Sequence, residues 1–103
     1  MNNVLSPQEC GSLAEVRGEI DRIDREIIRL LAVRSEYVRE VVKYKDGTPQ
    51  GIEAPERRAA VLQTRRQWAA EAGISPDIVE EIYDRLVAYF ISEEKKLLTK
   101  NLK

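Results

Sequence analysis

The 103-residue sequence predicts an all-α fold, and three observations lead to this prediction. Apolar residues recur at intervals of three and four along three stretches, which is the spacing that gives a helix one apolar face. The four prolines stand at or outside the borders of these stretches, where a helix tolerates proline. No segment alternates apolar and polar residues as a half-buried β-strand does.

The first predicted helix is unusually long for the chain. It opens at Ser12, where Ser-Leu-Ala-Glu has the form of a capping box, and no proline follows until Pro49, with Gly47 marking its end. About 34 residues make a rod of roughly 50 Å, whereas a compact chain of this length has a radius of gyration near about 13 Å. The chain is too short to cover such a rod, so a second copy is the simplest cover.

A loop follows this helix and leads into two shorter helices. Residues 46–51 contain two glycines, one proline and small polar residues, a composition typical of loops. The second helix begins at Pro55, a residue suited to the first helical position, and ends at Gly73. The third helix has Ser75 as its N-cap and Pro76 in its first turn.

Length and charge restrict the organisation and the partners. The length suits one domain, residues 1–103, with a disordered start at about residues 1–8. The net charge is −1 and the basic residues are interspersed with acidic ones, so we expect neither a nucleic-acid nor a membrane partner. The start of the chain lacks the features of a signal peptide, and the single Cys10 suits a reducing compartment. We therefore expect a cytoplasmic protein.

The residue types that are missing restrict the chemistry. The sequence has no histidine and one cysteine, which excludes a Ser-His or Cys-His pair and a zinc site of ordinary composition. It has no glycine-rich phosphate loop, and no clustered acidic motif indicates a magnesium site. We expect no metal and no cofactor. An enzyme of this composition would work with Arg, Lys and Glu.

Two cations interrupt the apolar stripe of the first helix. The centre of the stripe is formed by Ile20, Ile23, Ile27 and Val38. Arg34 and Lys45 project onto the middle of this stripe at 100° per residue, and Arg17 lies at its edge. A buried cation must meet an anion or reach water, so the pair favours an anionic guest. The structural alternative is that Arg34 pairs with an acidic residue and sets the register of a helical dimer, while Lys45 extends outward.

The other two helices carry charges beside their apolar faces. Glu93 and Glu94 fall on the two flanks of the third helix's apolar face, and helical spacing does not choose between them. Arg57, with Arg58 and Arg65 near it, flanks the apolar stripe of the second helix. Each group also has an ordinary interpretation, since carboxylates near a helix end are commonly solvated and arginines commonly coat a surface.

Three stretches of sequence carry a family resemblance. They are Pro7–Arg17 with Glu19–Asp24, then Ala54–Arg57 with Ala59–Leu62, and Arg66–Ala69 leading into Gly73. Over residues 5–98 the chain resembles the all-helical, type II chorismate mutase family, and within it the isochorismate pyruvate lyases of salicylate and siderophore pathways. The resemblance implies an intertwined homodimer of three-helix chains with a long first helix. It also implies two equivalent sites for a small dicarboxylate and a cofactor-free pericyclic reaction.

The resemblance also implies roles for individual residues. Arg34 and Lys45 match positions that hold the carboxylates and the ether oxygen of the substrate. Arg17 matches an arginine contributed across the dimer interface, and Arg57 one that follows the loop over the site. Glu94, rather than Glu93, stands at the ether oxygen, where the family usually has glutamine. The loop at about residues 46–53 would act as a lid that excludes water.

Two departures from the family pattern bear on the reaction. Typical mutases have glutamate where this chain has Arg58, and an acidic residue near the position of Ala54. Both contact or neighbour the ring hydroxyl of chorismate, so their loss favours an isochorismate pyruvate lyase that forms salicylate and pyruvate, with weak chorismate mutase activity. The alternatives are a mutase of chorismate or of 4-amino-4-deoxychorismate, and a non-catalytic helical dimerisation module in which Arg34 and Lys45 pair with acids of the partner chain.

Overall fold

Three long helices account for most of the protein. The computed structural model describes residues 4–45, 48, 51 and 54–101. Helix α1 spans Leu13–Val41, α2 spans Pro55–Ala72 and α3 spans Pro76–Asn101. No β-strand occurs within these described ranges. The prediction of an all-α chain with a long first helix is therefore confirmed.

Helix α1 starts where the sequence predicts, with an altered cap. The Glu15 N–H donates to Ser12 Oγ at 3.1 Å, which is one half of a capping box. The Glu15 carboxylate accepts from the N–H of Gly11 at 2.7 Å and not from that of Ser12. The second half of the box is therefore displaced by one residue, and it still satisfies a backbone donor ahead of the first turn.

The end of α1 differs from the prediction, and this changes the position of Lys45. The α-helix ends at Val41 and tightens into a 3-10 turn, Val42–Tyr44, which Lys45 follows with extended backbone (φ −95°, ψ 155°). The prediction that Lys45 continues the helical stripe was therefore wrong. Adjacent β-branched valines weaken the helix at this point, and the Lys45 N–H donates to Val42 O at 3.3 Å. The predicted end at Gly47 lies outside the described residues.

A short 3-10 turn, Pro7–Glu9, lies near the start of the chain, where the sequence predicted disorder. The Ser6 N–H donates to the Glu9 carboxylate at 2.8 Å, and the Glu9 N–H donates to Ser6 O at 3.0 Å. This hydrogen bond from the Ser6 backbone holds the pKa of Glu9 below its usual value. Ser6-Pro7-Gln8-Glu9 has the form of a capping box with proline in the first turn, so the local sequence accounts for this turn.

The chain divides into two compact units, Met1–Tyr37 and Val38–Lys103. The first contains the N-terminal turn and most of α1. Within residues 4–37 the side chain of Ser35 is buried, with its hydroxyl donating to Ala32 O at 2.6 Å, and no apolar side chain is fully buried. The isoleucines that centre the apolar stripe are about half exposed: Ile20 51%, Ile23 47% and Ile27 49%. In one chain, the apolar face of α1 is therefore partly exposed to solvent.

The second unit contains α2 and α3, which pack against each other. Val61 and Ala69 of α2 are buried, two turns apart on one helix face. Gly73 ends α2 in the left-handed conformation (φ 77°), with the Ile74 N–H bonded to Ala69 O at 2.9 Å, as in a Schellman motif. Ser75 Oγ accepts from the Ile78 N–H at 3.3 Å. The predicted borders of both helices are confirmed.

Trp68 packs against an arginine at the surface of the second unit. Its side chain is 54% exposed, and the Arg65 guanidinium lies over its ring at 4.5 Å from the centroid. The same guanidinium lies 5.5 Å from the ring of Tyr83 on α3. Stacking of this kind is a cation–π interaction, so these side chains help to join α2 to α3. Among the helices described here, none combines the length and the apolar character that a membrane span requires.

Candidate active site

A buried ion pair joins Lys45, which follows the 3-10 turn, to Glu94 in the C-terminal half of α3. Lys45 Nζ lies 2.8 Å from Glu94 Oε2. The Lys45 side chain is 18% exposed and that of Glu94 is 6% exposed. A contact of this length is a charge-assisted hydrogen bond. Two of the residues that the sequence singled out, 49 positions apart, therefore lie side by side with little access to water.

The neighbouring glutamate has a different environment. Glu93 Oε2 lies 3.1 Å from Lys96 Nζ, one turn along the same helix, and the Glu93 side chain is 37% exposed. Pairs of this kind at a helix surface are common and weak. Helical spacing did not distinguish the two glutamates. In the structure, Glu94 faces the interior and Glu93 faces partly outward.

Two arginines of the candidate set lie on α1. The Arg34 side chain is half-buried, and its Nη1 atom is shielded from solvent, whereas Arg17 is exposed. They lie 17 residues apart on one continuous helix, which corresponds to about 25 Å along its axis. This separation exceeds what two arginine side chains of one chain can span toward a single small molecule.

The remaining arginines lie in the first turn of α2. Arg57 is exposed. Arg58 Nη2 lies 2.7 Å from Asp84 Oδ1 on α3, and these side chains are 36% and 51% exposed. Sequence reasoning missed Asp84, because it lies on the polar face of its helix and its partner is 26 residues away. No local spacing signal could have joined the two.

The candidate residues are of types that bind anions. An ammonium held in a protected position and arginines that fit carboxylates in a two-pronged geometry are the groups that recognise a small dicarboxylate. The same ammonium can stabilise negative charge that develops on an oxygen atom.

Residues 16–95 match the family model of chorismate mutase type II, which is most of the chain. The chain belongs to this family. The resemblance stated from the sequence is thereby confirmed, and the protein is an enzyme of the chorismate mutase family that acts on a small molecule.

Relatives within the chorismate mutase family include lyases and mutases. The chain is 37% identical over 91 residues to isochorismate pyruvate lyase of Pseudomonas aeruginosa, covering 88% of this chain and 89% of that protein. It is 29% identical over 86 residues to chorismate mutase of Methanocaldococcus jannaschii, covering 84% and 87%. It is 44% identical over 87 residues to T-protein of Haemophilus influenzae, but it spans 22% of that longer protein.

Proposed function

We propose that this enzyme of the chorismate mutase family is an isochorismate pyruvate lyase, which forms salicylate and pyruvate and has weak chorismate mutase activity. One observation carries the choice. At 37% identity over 88% of this chain and 89% of the relative, the lyase of Pseudomonas aeruginosa is matched along nearly its whole length. The mutase of similar coverage is 29% identical.

Lys45 is the proposed catalytic cation. Both candidate reactions reorganise bonds in a ring and need no nucleophile, so the enzyme has to fix the reactive conformer and stabilise charge on the ether oxygen as its C–O bond breaks. An ammonium in a site of low water content supports that role, because charge interactions strengthen as water is excluded. The 18% exposure of Lys45 is favourable in this respect.

Glu94 is the proposed donor beside it. An ionised carboxylate at the ether oxygen would oppose the developing negative charge, so Glu94 has to be protonated to donate a hydrogen bond there. Glu94 Oε2 lies 2.8 Å from the Lys45 ammonium. We propose that the bound dianion takes over Lys45 as its partner and that Glu94 then takes up a proton.

Arg17 and Arg34 are proposed to bind the two carboxylates from different chains of a homodimer. Their separation of about 25 Å on one helix favours this assignment, since one chain cannot bring both to a single ligand. The half-exposed isoleucine stripe of α1 also favours a second copy as its cover. Arg57 is proposed to bind substrate as well. The proposed lid, residues 46–53, lies largely outside the described residues.

A product assay with two substrates tests the proposal. The protein is incubated separately with isochorismate and with chorismate, and salicylate, pyruvate and prephenate are quantified. We expect equal amounts of salicylate and pyruvate from isochorismate, and slow formation of prephenate from chorismate. Prephenate as the main product would favour the mutase alternative, which the family model and the Methanocaldococcus jannaschii relative support.

The same assay, with a binding measurement, tests the proposed substrate class. If neither substrate is converted, and a dicarboxylate analogue does not raise the melting temperature, the proposed substrate and reaction are wrong. A ligand that binds only the folded state stabilises it by an amount that grows with the logarithm of its concentration relative to its Kd, and the melting temperature rises accordingly. We also propose a cytoplasmic location, because the single Cys10 suits a compartment in which thiols are kept reduced.

A further inference from the structure

Arg57 lies in the first turn of α2. The N-cap of this helix is Ala54, which is in the left-handed conformation (φ 39°, ψ 63°) and provides no side-chain hydrogen bond to the first turn. A helix start usually has such a bond from serine, threonine, aspartate or asparagine. The Arg58 N–H donates to Ala54 O at 2.9 Å, which is the first bond of the helix. Tertiary contacts can therefore add to the positioning of this turn.

The ion pair between Arg58 and Asp84 provides such a contact. The 2.7 Å distance between Arg58 Nη2 and Asp84 Oδ1 ties the first turn of α2 to the middle of α3. Both side chains are partly exposed, at 36% and 51%, so the pair adds little to global stability. It can still fix geometry, because successive side chains of a helix are separated by about 100°. Holding Arg58 against α3 fixes the direction in which Arg57 points.

We infer that Arg58 and Asp84 are positioning residues for Arg57 in substrate binding. This inference rests on the proposed function, in which Arg57 binds a carboxylate of the substrate. Neither Arg58 nor Asp84 has to touch the substrate. Their ion pair holds the Arg57 backbone in the orientation that binding requires. Without the ion pair, this backbone samples more orientations, and the substrate binds only the fraction of molecules in the required one.

A second ion pair between the same two helices provides a matched control. Arg66 Nη1 lies 2.8 Å from Asp77 Oδ1 at the far end of α2. Both pairs join an arginine of α2 to an aspartate of α3 at a similar distance, and Arg66 also lies 3.5 Å from Glu80 Oε1. Arg66 is nine residues from Arg57, which corresponds to about 13 Å along the helix. A general loss of α2–α3 contact would affect both pairs alike, whereas positioning of Arg57 depends on the Arg58 pair.

The test compares Asp84→Asn with Asp77→Asn in the full chain. We expect Asp84→Asn to raise KM about fivefold with kcat within about twofold, since a preorganised binding contact is lost and the chemistry is unchanged. Asp77→Asn should leave KM unchanged, and both variants should shift the melting temperature by similar small amounts. The charge reversal that combines Arg58→Asp with Asp84→Arg should restore KM to within about twofold of the wild-type value.

Arg57→Met separates this inference from the proposed function. We expect Arg57→Met to raise KM more than Asp84→Asn does, and Asp84→Asn to have no further effect on KM in the Arg57→Met background, because the residue that it positions is gone. If Arg57→Met raises KM and Asp84→Asn does not, or if the two effects add, the inference is wrong and the proposed function stands. If Arg57→Met leaves KM unchanged, both the inference and the proposed role of Arg57 are wrong.

Discussion

Lys45 and Glu94 have opposite charges 2.8 Å apart, where both side chains are largely buried. A buried pair of this kind gains Coulomb energy but loses the hydration of both ions, so its net contribution to stability is small. Removing one partner is costly, because the other is left buried without it. At the scale of single residues, a single and a double replacement at this pair can therefore separate its effect on stability from its effect on catalysis.

Replacing Lys45 tests this separation. We expect Lys45→Met to lower the free energy of unfolding by about 3 kcal/mol and salicylate formation by about a thousandfold or more. The double variant Lys45→Met with Glu94→Gln should regain most of the stability, because two neutral residues of similar size replace two ions, yet stay inactive. Urea unfolding and the product assay measure the two effects. Full activity in the double variant would limit Lys45 to a structural role.

Replacing Glu94 tests its ionisation during the reaction. A carboxyl that must donate a hydrogen bond works in its protonated form, so wild-type kcat should fall as pH rises. Glu94→Gln donates at every pH and should have a flatter profile. Glu93→Gln is the matched control, since Glu93 pairs with Lys96 at the helix surface, and it should keep the wild-type profile. A wild-type profile in Glu94→Gln would exclude Glu94 from the site.

At the scale of elements, the junction before α2 contains backbone strain. Ala54 has φ 39°, a region that residues with a Cβ atom rarely adopt. Glycine adopts it without a steric cost. We expect Ala54→Gly to raise the free energy of unfolding by up to about 1 kcal/mol, measured by urea titration. Ala70→Gly, at an exposed interior position of the same helix, should lower it by about 1 kcal/mol. Equal losses in both variants would contradict the strain at Ala54.

Helix borders with a local chemical signal could be predicted from the sequence. Pro55, Gly73 and Ser75 act on the backbone within one turn of their own position, and the structure has α2 and α3 begin and end at these residues. The end of α1 has no such signal, because an α-helix and a 3-10 turn share the same apolar spacing over a few residues. The position of Lys45 was predicted wrongly for that reason.

Contacts between distant residues could be predicted only in part. Periodicity placed Glu93 and Glu94 on opposite flanks of one helix face, which is a local property. Which of them meets Lys45 depends on how another part of the chain packs, and the structure resolves this through a contact across 49 residues. The Arg58–Asp84 pair was missed, because an arginine and an aspartate on polar helix faces are ordinary surface residues until the helices are packed.

At the scale of the whole molecule, the apolar face of α1 is the surface on which we propose that a second chain packs. Three isoleucines spaced along it are each about half exposed: Ile20, Ile23 and Ile27. Burying the exposed half of such a side chain is worth about 1 kcal/mol, so a long stripe of them can hold two chains together. We expect Ile23→Asp to shift the protein toward monomer in analytical ultracentrifugation and to abolish activity. Ala32→Asp, a control at an exposed position on the opposite side of the helix, should leave both unchanged.

Complementation between two inactive variants tests which chain supplies Arg17. Arg17→Met and Arg34→Met homodimers should each be nearly inactive. When the two chains are co-expressed in equal amounts, about half of the dimers are mixed, and a site that takes Arg34 from one chain and Arg17 from the other is intact once in each mixed dimer. We therefore expect about one quarter of the wild-type activity in the mixture. If both arginines of a site came from the same chain, no mixed dimer would contain an intact site, and the mixture would be as inactive as its parents.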